Sequence, residues 1–416
     1  MGELAASEVA RGDAAAGVTV GVIVPTYNRA SLLAQSLDSV LKQTRPPDNV
    51  VVVNDGSTDE TESVLRRYGD RIRYVSQPNT GKSAALNRAL GMLDTDYVWV
   101  MDDDDVAAID ALERHLKHLA AHPEVDYTYS GVWCFSGDAA PDIERCLLWQ
   151  RNPIAHDTFF VRALEEFPCN QQTMLVPLAC YHAVGPYDEK QTFGQDYEMI
   201  LRLARRYRAG FVADPTVFLR QHGGDRGPSG ERIRAAMRFD AWRPYDRRLF
   251  RSLRGSLPLS EYLPRGTSGG QLDPIQRRRA LLQRACVMAR HGLFEEAIED
   301  LETAVAKASS AITWSDEDQR ICGSMLNVEP VILDGQDSFL RRAKRLLRLH
   351  APVLHRAAGK GIGWSGISEL RARHYRGAAY TAVRLARWAG PAGLVRMVAK
   401  ELLPKERTSK PMRKTG

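Results

Sequence analysis

From Val18 onward, short runs of β-branched apolar residues alternate with longer segments in which apolar residues recur at helical spacing. This alternation is typical of a mainly parallel sheet whose strands are joined by crossover helices. The apolar runs predict strands at 18–24, 50–53, 72–75 and 97–101. Helical spacing predicts helices through 33–41, 59–68, 82–93 and 108–121, and Ser57 with Glu60 fits a capping box at the second of them.

The pattern becomes less regular after Asp126. Candidate strands at 127–129, 132–135 and 173–176 are irregularly spaced, and a helix is predicted at 196–206. The sheet is therefore expected to become mixed in this part. Glycine and proline clusters interrupt the pattern beyond Gly223, which predicts a domain boundary near residue 225.

These changes divide the chain into four segments: a flexible N-terminus at 1–17, an α/β domain at 18–225, a helical region at 226–339 and a basic helical tail at 340–416. In the third segment, 274–308 predicts two helices joined around Gly292, similar to a tetratricopeptide-type hairpin. A single hairpin does not make a solenoid, because about three such repeats are needed to bury a continuous core.

The composition is that of a globular protein. Of the 416 residues, 44% are hydrophobic and 26% are charged, which argues against wholesale disorder and against a membrane bundle. The six cysteines include no CxxC pair and are expected to be free thiols in a reducing compartment. Because no uncharged apolar run reaches the roughly 18 residues of a membrane span, and no basic start precedes an apolar stretch, a cytoplasmic location is expected.

Charge is distributed unevenly along the chain. Residues 340–416 hold 19 Lys and Arg against 3 Asp and Glu, whereas the rest holds 38 against 48. A basic tail on an acidic body suggests an anionic partner, either lipid headgroups or a phosphorylated acceptor, and a peripheral membrane contact on the cytoplasmic face is one interpretation. The other is an ordinary helical domain with solvated arginines. No nucleic acid is expected.

Residues that follow the predicted strands should form one site, because the loops after parallel strands emerge on one edge of the sheet, where ligands bind. They are Pro25, Thr26, Tyr27, Asn28 and Arg29 after the first strand, Asp55 after the second, Lys82 after the third, and Asp102, Asp103, Asp104 and Asp105 after the fourth.

The four consecutive aspartates, 102–105, are the strongest chemical signal in the chain. Neighbouring carboxylates repel one another and raise one another's pKa unless a cation is present. Hard oxygen ligands favour Mg²⁺ or Mn²⁺, which bind through one or two carboxylates together with substrate phosphates. The alternative is an acidic turn that caps the next helix.

Tyr27 and Asp55 together suggest a nucleotide. An aromatic ring can stack on a base, and a carboxylate can accept the imide N–H of uracil or thymine. Taken singly, Tyr27 is more typical of a packing residue and Asp55 of a turn before Gly56.

The segments PTYNR, VVNDGSTDET, NTGKSAALNRAL and MDDDD, in this order and spacing, resemble family 2 glycosyltransferases of the GT-A fold. The resemblance continues through GPYDEKQTFGQDYEMILRLA and FLRQHGG and covers roughly residues 18–225. It implies an α/β fold, with a GT-A-like, Rossmann-like nucleotide-binding mixed sheet flanked by helices, followed here by a mainly α-helical C-terminal region.

The resemblance also implies roles for single residues. Asp102 and Asp103 fit the part of the DxD motif that binds the nucleotide sugar, and Asp104 fits the metal ligand. Asp196 falls on the family's catalytic base, although Gln195 stands where the family usually has a glutamate. His222 matches a histidine near the metal and the diphosphate, although a lone histidine after a strand is more often structural.

Arg220 is expected to serve the phosphates or the acceptor. The reaction implied is the transfer of a sugar from a nucleoside-diphosphate donor, with UDP favoured, to an acceptor hydroxyl in cell-surface glycan or lipid-linked glycan synthesis. One base without a nucleophilic carboxylate predicts inversion at the anomeric carbon. Two other functions stay open, a sugar nucleotidyltransferase and a catalytically inactive GT-A-like scaffold.

The three histidines His115, His118 and His122 lie near one face of a predicted helix. Zinc binding is not favoured, because the charged residues Glu113, Arg114 and Lys117 flank this face, and a solvated surface is predicted for it.

Overall fold

The computed structural model describes residues 17–149, 153–221, 238–267, 271–306, 313–327, 335–371 and 375–390. Contacts divide the chain into two compact units. The first contains the described residues up to Leu249 together with Pro264–Gly266, and the second contains Phe250–Leu263 and the described residues from Thr267 onward. The domain boundary predicted near residue 225 lies outside the described residues, as does His222.

Within its described residues, the first unit contains a single sheet of nine strands. The strands are β1 (Val20–Thr26), β2 (Asn49–Asn54), β3 (Arg73–Ser76), β4 (Tyr97–Val100), β5 (Val106–Ala107), β6 (Tyr127–Ser136), β7 (Leu147–Trp149), β8 (Met174–Pro177) and β9 (Ala209–Gln221). Their order is β3-β2-β1-β4-β8-β6-β9-β5, and β7 pairs with β6. Strands β1 to β4 are parallel, whereas β8 runs antiparallel to both β4 and β6, so the mixed sheet is confirmed.

Helices cover this sheet. They are α1 (Ala30–Leu41), α2 (Thr61–Arg66), α3 (Lys82–Leu90), α4 (Ala111–Ala121), α5 (Phe159–Glu165), α6 (Leu178–Val184) and α7 (Gln195–Arg206), followed by α8 (Arg238–Ser256). Short 3-10 turns lie at Gly69–Arg71, Ile143–Arg145, Gln171–Thr173 and Leu259–Tyr262.

The apolar runs of the sequence form strands because the sheet is covered on both faces. Every residue of β1 is buried, and Val22 and Val24 share one core cluster with Leu33 and Leu37 of α1. Full burial of each such side chain stabilises the fold by roughly 1.5–3 kcal/mol. The side chains on the opposite faces, such as Ile23, are equally buried, which explains why no polar alternation is visible in the sequence.

Two local predictions are wrong. Ser57 does not cap α2, which begins at Thr61, because the Ser57 hydroxyl instead accepts the backbone N–H of Asn28. The two strands predicted at 127–129 and 132–135 are a single strand, β6, in which a register shift lies between Ser130 and Val132.

The prediction that the histidine face is solvated is also partly wrong. His115 is fully buried, with Nδ1 2.8 Å from Thr128 Oγ1 and Nε2 3.1 Å from Thr216 Oγ1. Burial lowers the pKa of His115 to about 3, so the ring is neutral. Only His122 of the three is exposed, and its ring stacks on that of His118. The hydroxyl partners of His115 come from strands distant in sequence, which is why the helical pattern does not indicate them.

The described part of the second unit is helical. Its helices are α9 (Pro274–Arg290), α10 (Phe294–Ala306), α11 (Asp316–Leu326), α12 (Gln336–His350), α13 (Pro352–Arg371) and α14 (Tyr375–Ala389). The hairpin predicted around Gly292 is present as α9 and α10, and Gly292 has a φ of +71° that favours glycine at this turn. Among the described helices, none is both long and apolar enough to cross a bilayer.

Candidate functional site

The loops after β1 and β2 are tied together by Asn28. This residue has a φ of +53°, donates its backbone N–H to Ser57 Oγ at 2.9 Å and accepts the Thr58 N–H at 2.7 Å. The first amide of α1, from Ala30, donates to Asp59 Oδ2 at 3.0 Å. Tyr27 and the other residues of the first loop are therefore held beside the second loop at the carboxyl edge of the sheet.

Asp55 is buried and organises the approach to α3. Its carboxylate accepts the side chain of Gln77 at 2.8 Å and the backbone N–H groups of Thr80 at 3.0 Å and Gly81 at 2.8 Å. Gly56 has a φ of +78°, and a Cβ there would lie 2.6 Å from the backbone nitrogen of Asn79. The structure thus gives Asp55 a positioning role for the loop that precedes Lys82. Its recognition of a base stays a prediction.

Three carboxylates converge after β4. One oxygen from each of Asp102, Asp104 and Asp105 lies within 4.8 Å of the others. Burial, followed by the charge of Asp104, raises the pKa of Asp103 and of Asp105 above the usual range of a carboxyl group. Asp105 is the most buried of the run, at 1% exposure. Such a cluster stays ionised only when positive charge is supplied, and a divalent cation has the chemistry these oxygen ligands favour.

Two cations already contact this acidic run. Lys82 Nζ lies 2.5 Å from Asp102 Oδ1, and an Arg29 guanidinium nitrogen lies 3.3 Å from Asp104 Oδ2. Burial alone would lower the pKa of Lys82, but the charges of Asp102, Asp196 and Asp104 raise it above its ordinary value. The lysine is therefore charged. Both contacts confirm that residues following three different strands meet at one edge.

Asp196 lies in the first turn of α7, after Gly194, whose φ of +71° turns the chain into the helix. Its carboxylate accepts the Tyr197 backbone N–H at 2.8 Å. Burial raises the pKa of Asp196, Lys82 lowers it and Asp102 raises it further. These charge effects indicate that Asp196 lies close enough to Lys82 and Asp102 to interact with both electrostatically, and a raised pKa is typical of a carboxylate that accepts a proton.

Other predicted site residues stand as follows. Pro25 and Thr26 end β1 and pair in register with Val53 and Asn54 of β2. The Thr26 hydroxyl acts on Asp103, whose pKa it lowers slightly against the larger effect of burial. His222, the second predicted metal ligand, lies outside the described residues.

Sequence reasoning missed the buried support of the acidic run. Gln172 donates its side-chain amide to Asp105 at 2.5 Å and to Asp102 at 3.3 Å. Arg220 donates its backbone N–H to Asp105 at 2.8 Å and its Nε to the Asp104 carbonyl at 2.7 Å. Arg220 is fully buried, so the predicted contact with phosphates or acceptor is wrong, because its guanidinium is used to brace the loop.

Part of the first unit is similar to known proteins. Residues 21–165 match the model of glycosyl transferase family 2. An uncharacterized glycosyltransferase of Rickettsia prowazekii is 26% identical over 197 residues, which are 45% of this chain and 58% of that protein. The chondroitin synthase of Pasteurella multocida is 29% identical over 191 residues, 44% of this chain and 19% of that protein. The chain thus spans less than two thirds of the length of these curated relatives.

Residues 21–165 of the first unit are therefore similar to family 2 glycosyl transferases. The fold of this unit is the α/β class predicted from the sequence, a GT-A-like mixed sheet with flanking helices, and a largely helical region follows it. Among solved structures, S. aureus TarS 1-349 aligns at 15% identity with a TM-score of 0.48, over 90% of this chain and 92% of that one.

Proposed function

We propose that this domain transfers a sugar from a nucleoside-diphosphate donor to an acceptor hydroxyl with inversion at the anomeric carbon. One observation carries the proposal: Lys82, which bonds to Asp102, also lowers the pKa of Asp196, so a cation, an acidic cluster and a partly buried carboxylate interact electrostatically. The family match of residues 21–165 supports glycosyl transfer as the reaction class.

The donor's diphosphate would lie against Lys82 and Arg29, while Asp102 and Asp103 would bind other parts of the nucleotide sugar. Cations that contact the acidic run directly can pair with phosphate oxygens once a ligand arrives. The nucleobase of the donor would stack on Tyr27. The loop that Asp55 organises would recognise this nucleobase, and uracil is favoured. Asp55 Oδ1 already accepts from Gln77 and Thr80, but Oδ2 accepts one bond, from Gly81, and with about two acceptor positions on each carboxylate oxygen it can accept one more.

Asp102, Asp104 and Asp105 fit a divalent cation, Mn²⁺ or Mg²⁺, since their oxygens converge within 4.8 Å and repel one another without one. His222 is the further ligand that the family resemblance implies. When bound, the ion supplies electrostatic stabilisation of the leaving diphosphate. The chain's own part is to hold the carboxylates in place through Gln172 and Arg220.

Asp196 would remove the proton of the attacking acceptor hydroxyl. Because burial raises its pKa, while the charge of Lys82 opposes that rise, Asp196 is a stronger base than an ordinary aspartate. The acceptor oxygen then forms its bond to the anomeric carbon as the bond to the diphosphate breaks. A single displacement of this kind inverts the configuration.

For the acceptor we propose a cell-surface glycan or a lipid-linked glycan, reached from the cytoplasmic face of the membrane. Exposed apolar side chains in the basic helices support a peripheral contact: Trp364 is 50% exposed and Tyr375 68% exposed. Aromatic residues among arginines are typical of helices that lie on anionic bilayers.

Flotation with phosphatidylglycerol vesicles tests this contact. We expect the full chain to float and the variant carrying Trp364→Ala with Tyr375→Ala to float less, while Ile109→Ala, which removes an exposed apolar side chain of the first unit, changes nothing. Equal flotation of all three proteins would show that Trp364 and Tyr375 do not contact the membrane.

The transferase proposal is tested with a panel of nucleotide sugars and Mn²⁺ or Mg²⁺, measuring release of nucleoside diphosphate. We expect metal-dependent release that Asp196→Asn abolishes while donor binding is kept. Glu198→Gln is the matched control, because Glu198 lies in the same helical turn and pairs with Arg202. Retained anomeric configuration in the product would contradict the mechanism, and silence with every donor together with no nucleotide binding would favour a non-catalytic scaffold.

A further inference from the structure

Asn87, five residues after Lys82 on α3, binds the peptide group of Tyr187. Its Oδ1 accepts the Tyr187 backbone N–H at 2.8 Å, and its Nδ2 donates to the Tyr187 carbonyl at 3.0 Å. The same Nδ2 donates to Glu189 Oε1 at 3.0 Å. A side-chain amide that binds both backbone polar groups of one residue fixes the position and the orientation of that residue together. Tyr187 is therefore tied to the helix that begins with Lys82.

Arg202 binds the residues immediately before Tyr187 from the other helix of the site. It lies on α7, six residues after Asp196, and donates to the carbonyls of residues 184–186 at distances of 2.8, 2.8 and 2.9 Å. Its Nε also pairs with Glu198 on the same helix at 2.7 Å. Because a guanidinium is planar and its donors have fixed directions, it holds these three consecutive carbonyls in one arrangement.

The ring of Tyr187 lies near the carboxylate of Asp196. The residue is 2% exposed, and its hydroxyl accepts the side-chain amide of Gln171. Burial raises the pKa of Tyr187 well above its ordinary value, and Tyr181 and the charge of Asp196 raise it further. The hydroxyl and the carboxylate are therefore close enough to interact electrostatically. Tyr187 is thus held at its peptide group by α3 while its ring lies beside the residue proposed as the base.

These contacts form one continuous path between the two helices. The path runs from Asn87 on α3, through the peptide group of Tyr187 and the carbonyls of residues 184–186, to Arg202 on α7. Each of its hydrogen bonds is 2.8–3.0 Å long, within the usual range for N–H donors. The path therefore fixes the start of α7 relative to the start of α3.

We propose that Asn87 and Arg202 are positioning residues, which hold Asp196 in the placement that the acceptor hydroxyl requires while Lys82 contacts the donor. This inference rests on the function proposed above. Both side chains act through the segment between them and not on the substrate. A displacement of about 1 Å at a reacting group can cost about 100-fold in rate, so the loss of either contact should lower turnover. Donor binding should be kept, because Lys82 and Arg29 contact the acidic run without this segment.

Kinetics of single and double variants test the positioning role. Asn87→Ala and Arg202→Met should each lower kcat by about 10- to 100-fold, with donor Kd and Mn²⁺ affinity unchanged. Arg202→Lys should behave like Arg202→Met, because lysine lacks the planar fork. Glu189→Ala is the control, since it removes the exposed partner of Asn87 and leaves both bonds to the Tyr187 peptide group. Because the two contacts act in series, Asn87→Ala with Arg202→Met should lose no more kcat than the worse single variant. Unchanged kcat in both single variants, or losses that multiply in the double variant, would overturn the inference.

Hydrogen exchange without donor gives a readout that does not depend on turnover. The amides of residues 187–197 should exchange faster in Asn87→Ala and Arg202→Met than in the natural protein and in Glu189→Ala, because the segment and the first turn of α7 open more often once released. Unchanged exchange, or faster exchange with unchanged kcat, would contradict the positioning role. Faster exchange in a protein that releases no nucleoside diphosphate from any donor would instead contradict the transferase function and confirm that the two residues hold α7.

Discussion

Lys82 Nζ lies 2.5 Å from Asp102 Oδ1, and the same ammonium group lowers the pKa of Asp196. One cation at the start of α3 therefore acts on two carboxylates, one in the acidic run after β4 and one in the first turn of α7. Because Asp55 binds the backbone of Thr80 and Gly81, the loop that sets the position of Lys82 is itself fixed.

Replacing Lys82 tests this coupling. Lys82→Met removes the positive charge that lowers the pKa of Asp196, so the pKa of this carboxyl rises further. A base must be ionised to act, so the acidic limb of the kcat/KM profile should move to higher pH, and donor affinity should fall because a phosphate partner is lost. A pH series of kcat/KM from about pH 5 to pH 9 is the measurement, in a range that spans ordinary catalytic pKa values.

The control for this prediction is Arg88→Met, which removes an exposed cation from the same helix without contact to the acidic run. Its pH profile should match that of the natural protein. A Lys82→Met profile with the same acidic limb, lowered only in height, would mean that Asp196 is not the group that titrates.

The acidic run makes a second prediction, in which neighbouring aspartates behave differently. Asp104 and Asp105 belong to the converging cluster and Asp103 does not. Since loss of an outer partner of a metal ligand already costs about 10- to 100-fold in affinity, Asp104→Asn and Asp105→Asn should weaken Mn²⁺ binding by at least about tenfold. Asp103→Asn should bind Mn²⁺ nearly as the natural chain does and instead weaken nucleotide-sugar binding.

Titration of Mn²⁺ followed by electron paramagnetic resonance measures the free ion directly, without turnover. Equal loss of Mn²⁺ affinity in all three variants would mean that the run acts only through its total charge. If all three variants kept the Mn²⁺ affinity of the natural chain, none of these aspartates would be a metal ligand.

The chain's local patterns predict the strands and the loop residues of the site because the relevant signals lie within a few residues. The apolar run before Asp102 is typical of a strand covered on both faces, and a carboxylate that follows such a strand lies at the edge of the sheet. Pairings across long separations leave no such signal. Gln172 reaches Asp105 across 67 residues and the Arg220 backbone reaches it across 115.

Ser57 shows how a local motif is overridden. Its spacing to Glu60 fits a capping box, but the hydroxyl is used by Asn28, whose left-handed backbone is fixed by tertiary contact. Helix α2 begins instead at Thr61, where Asp59 accepts both the backbone N–H and the hydroxyl of Thr61. The capping-box motif predicted a helix start in the correct region but the wrong partner for Ser57, because the neighbouring loop supplies the N–H group that the Ser57 hydroxyl accepts.

Arg220 gives a third prediction, on stability. Its guanidinium donates to the carbonyls of Asp104, Gly137 and Ala139 and to the side chain of Gln35, and Arg220 itself is fully buried although Gly137 and Ala139 are exposed. Arg220→Met leaves these acceptors without donors, and each acceptor that stays away from water costs about 1–3 kcal/mol. Arg220→Lys should recover little, because lysine has three donors on a flexible stem and cannot reproduce the planar fork.

Urea unfolding measures this effect, with Arg114→Met as the control. Arg114 pairs with Asp110 at 2.7 Å at the partly exposed end of α4, where an ion pair contributes about 1 kcal/mol or less. If Arg220→Met lost no more stability than Arg114→Met, Arg220 would not brace the acidic loop.

His115 makes the last prediction, on the pH dependence of folding. Its folded pKa of about 3 lies below the ordinary value of about 6.5, because burial excludes the charged form. Between these values the unfolded chain binds a proton that the folded chain does not, so the free energy of unfolding falls as pH decreases from about 6.5, by up to about 1.4 kcal/mol per pH unit. Above that pH the contribution is fully present.

Urea unfolding at pH 7 and pH 5 should therefore show a smaller loss of stability for His115→Gln than for the natural protein, because glutamine keeps a donor and an acceptor for Thr128 and Thr216 but does not titrate. The substitution should lower the stability at pH 7 through imperfect packing. The difference in stability between the variant and the natural protein should be smaller at pH 5. His122→Gln changes an exposed histidine of the same face and should leave the pH dependence as it is. Equal pH dependence in His115→Gln and the natural protein would show that this ring takes up its proton in the folded state, which would require Thr128 and Thr216 to turn their oxygens toward a charged imidazole.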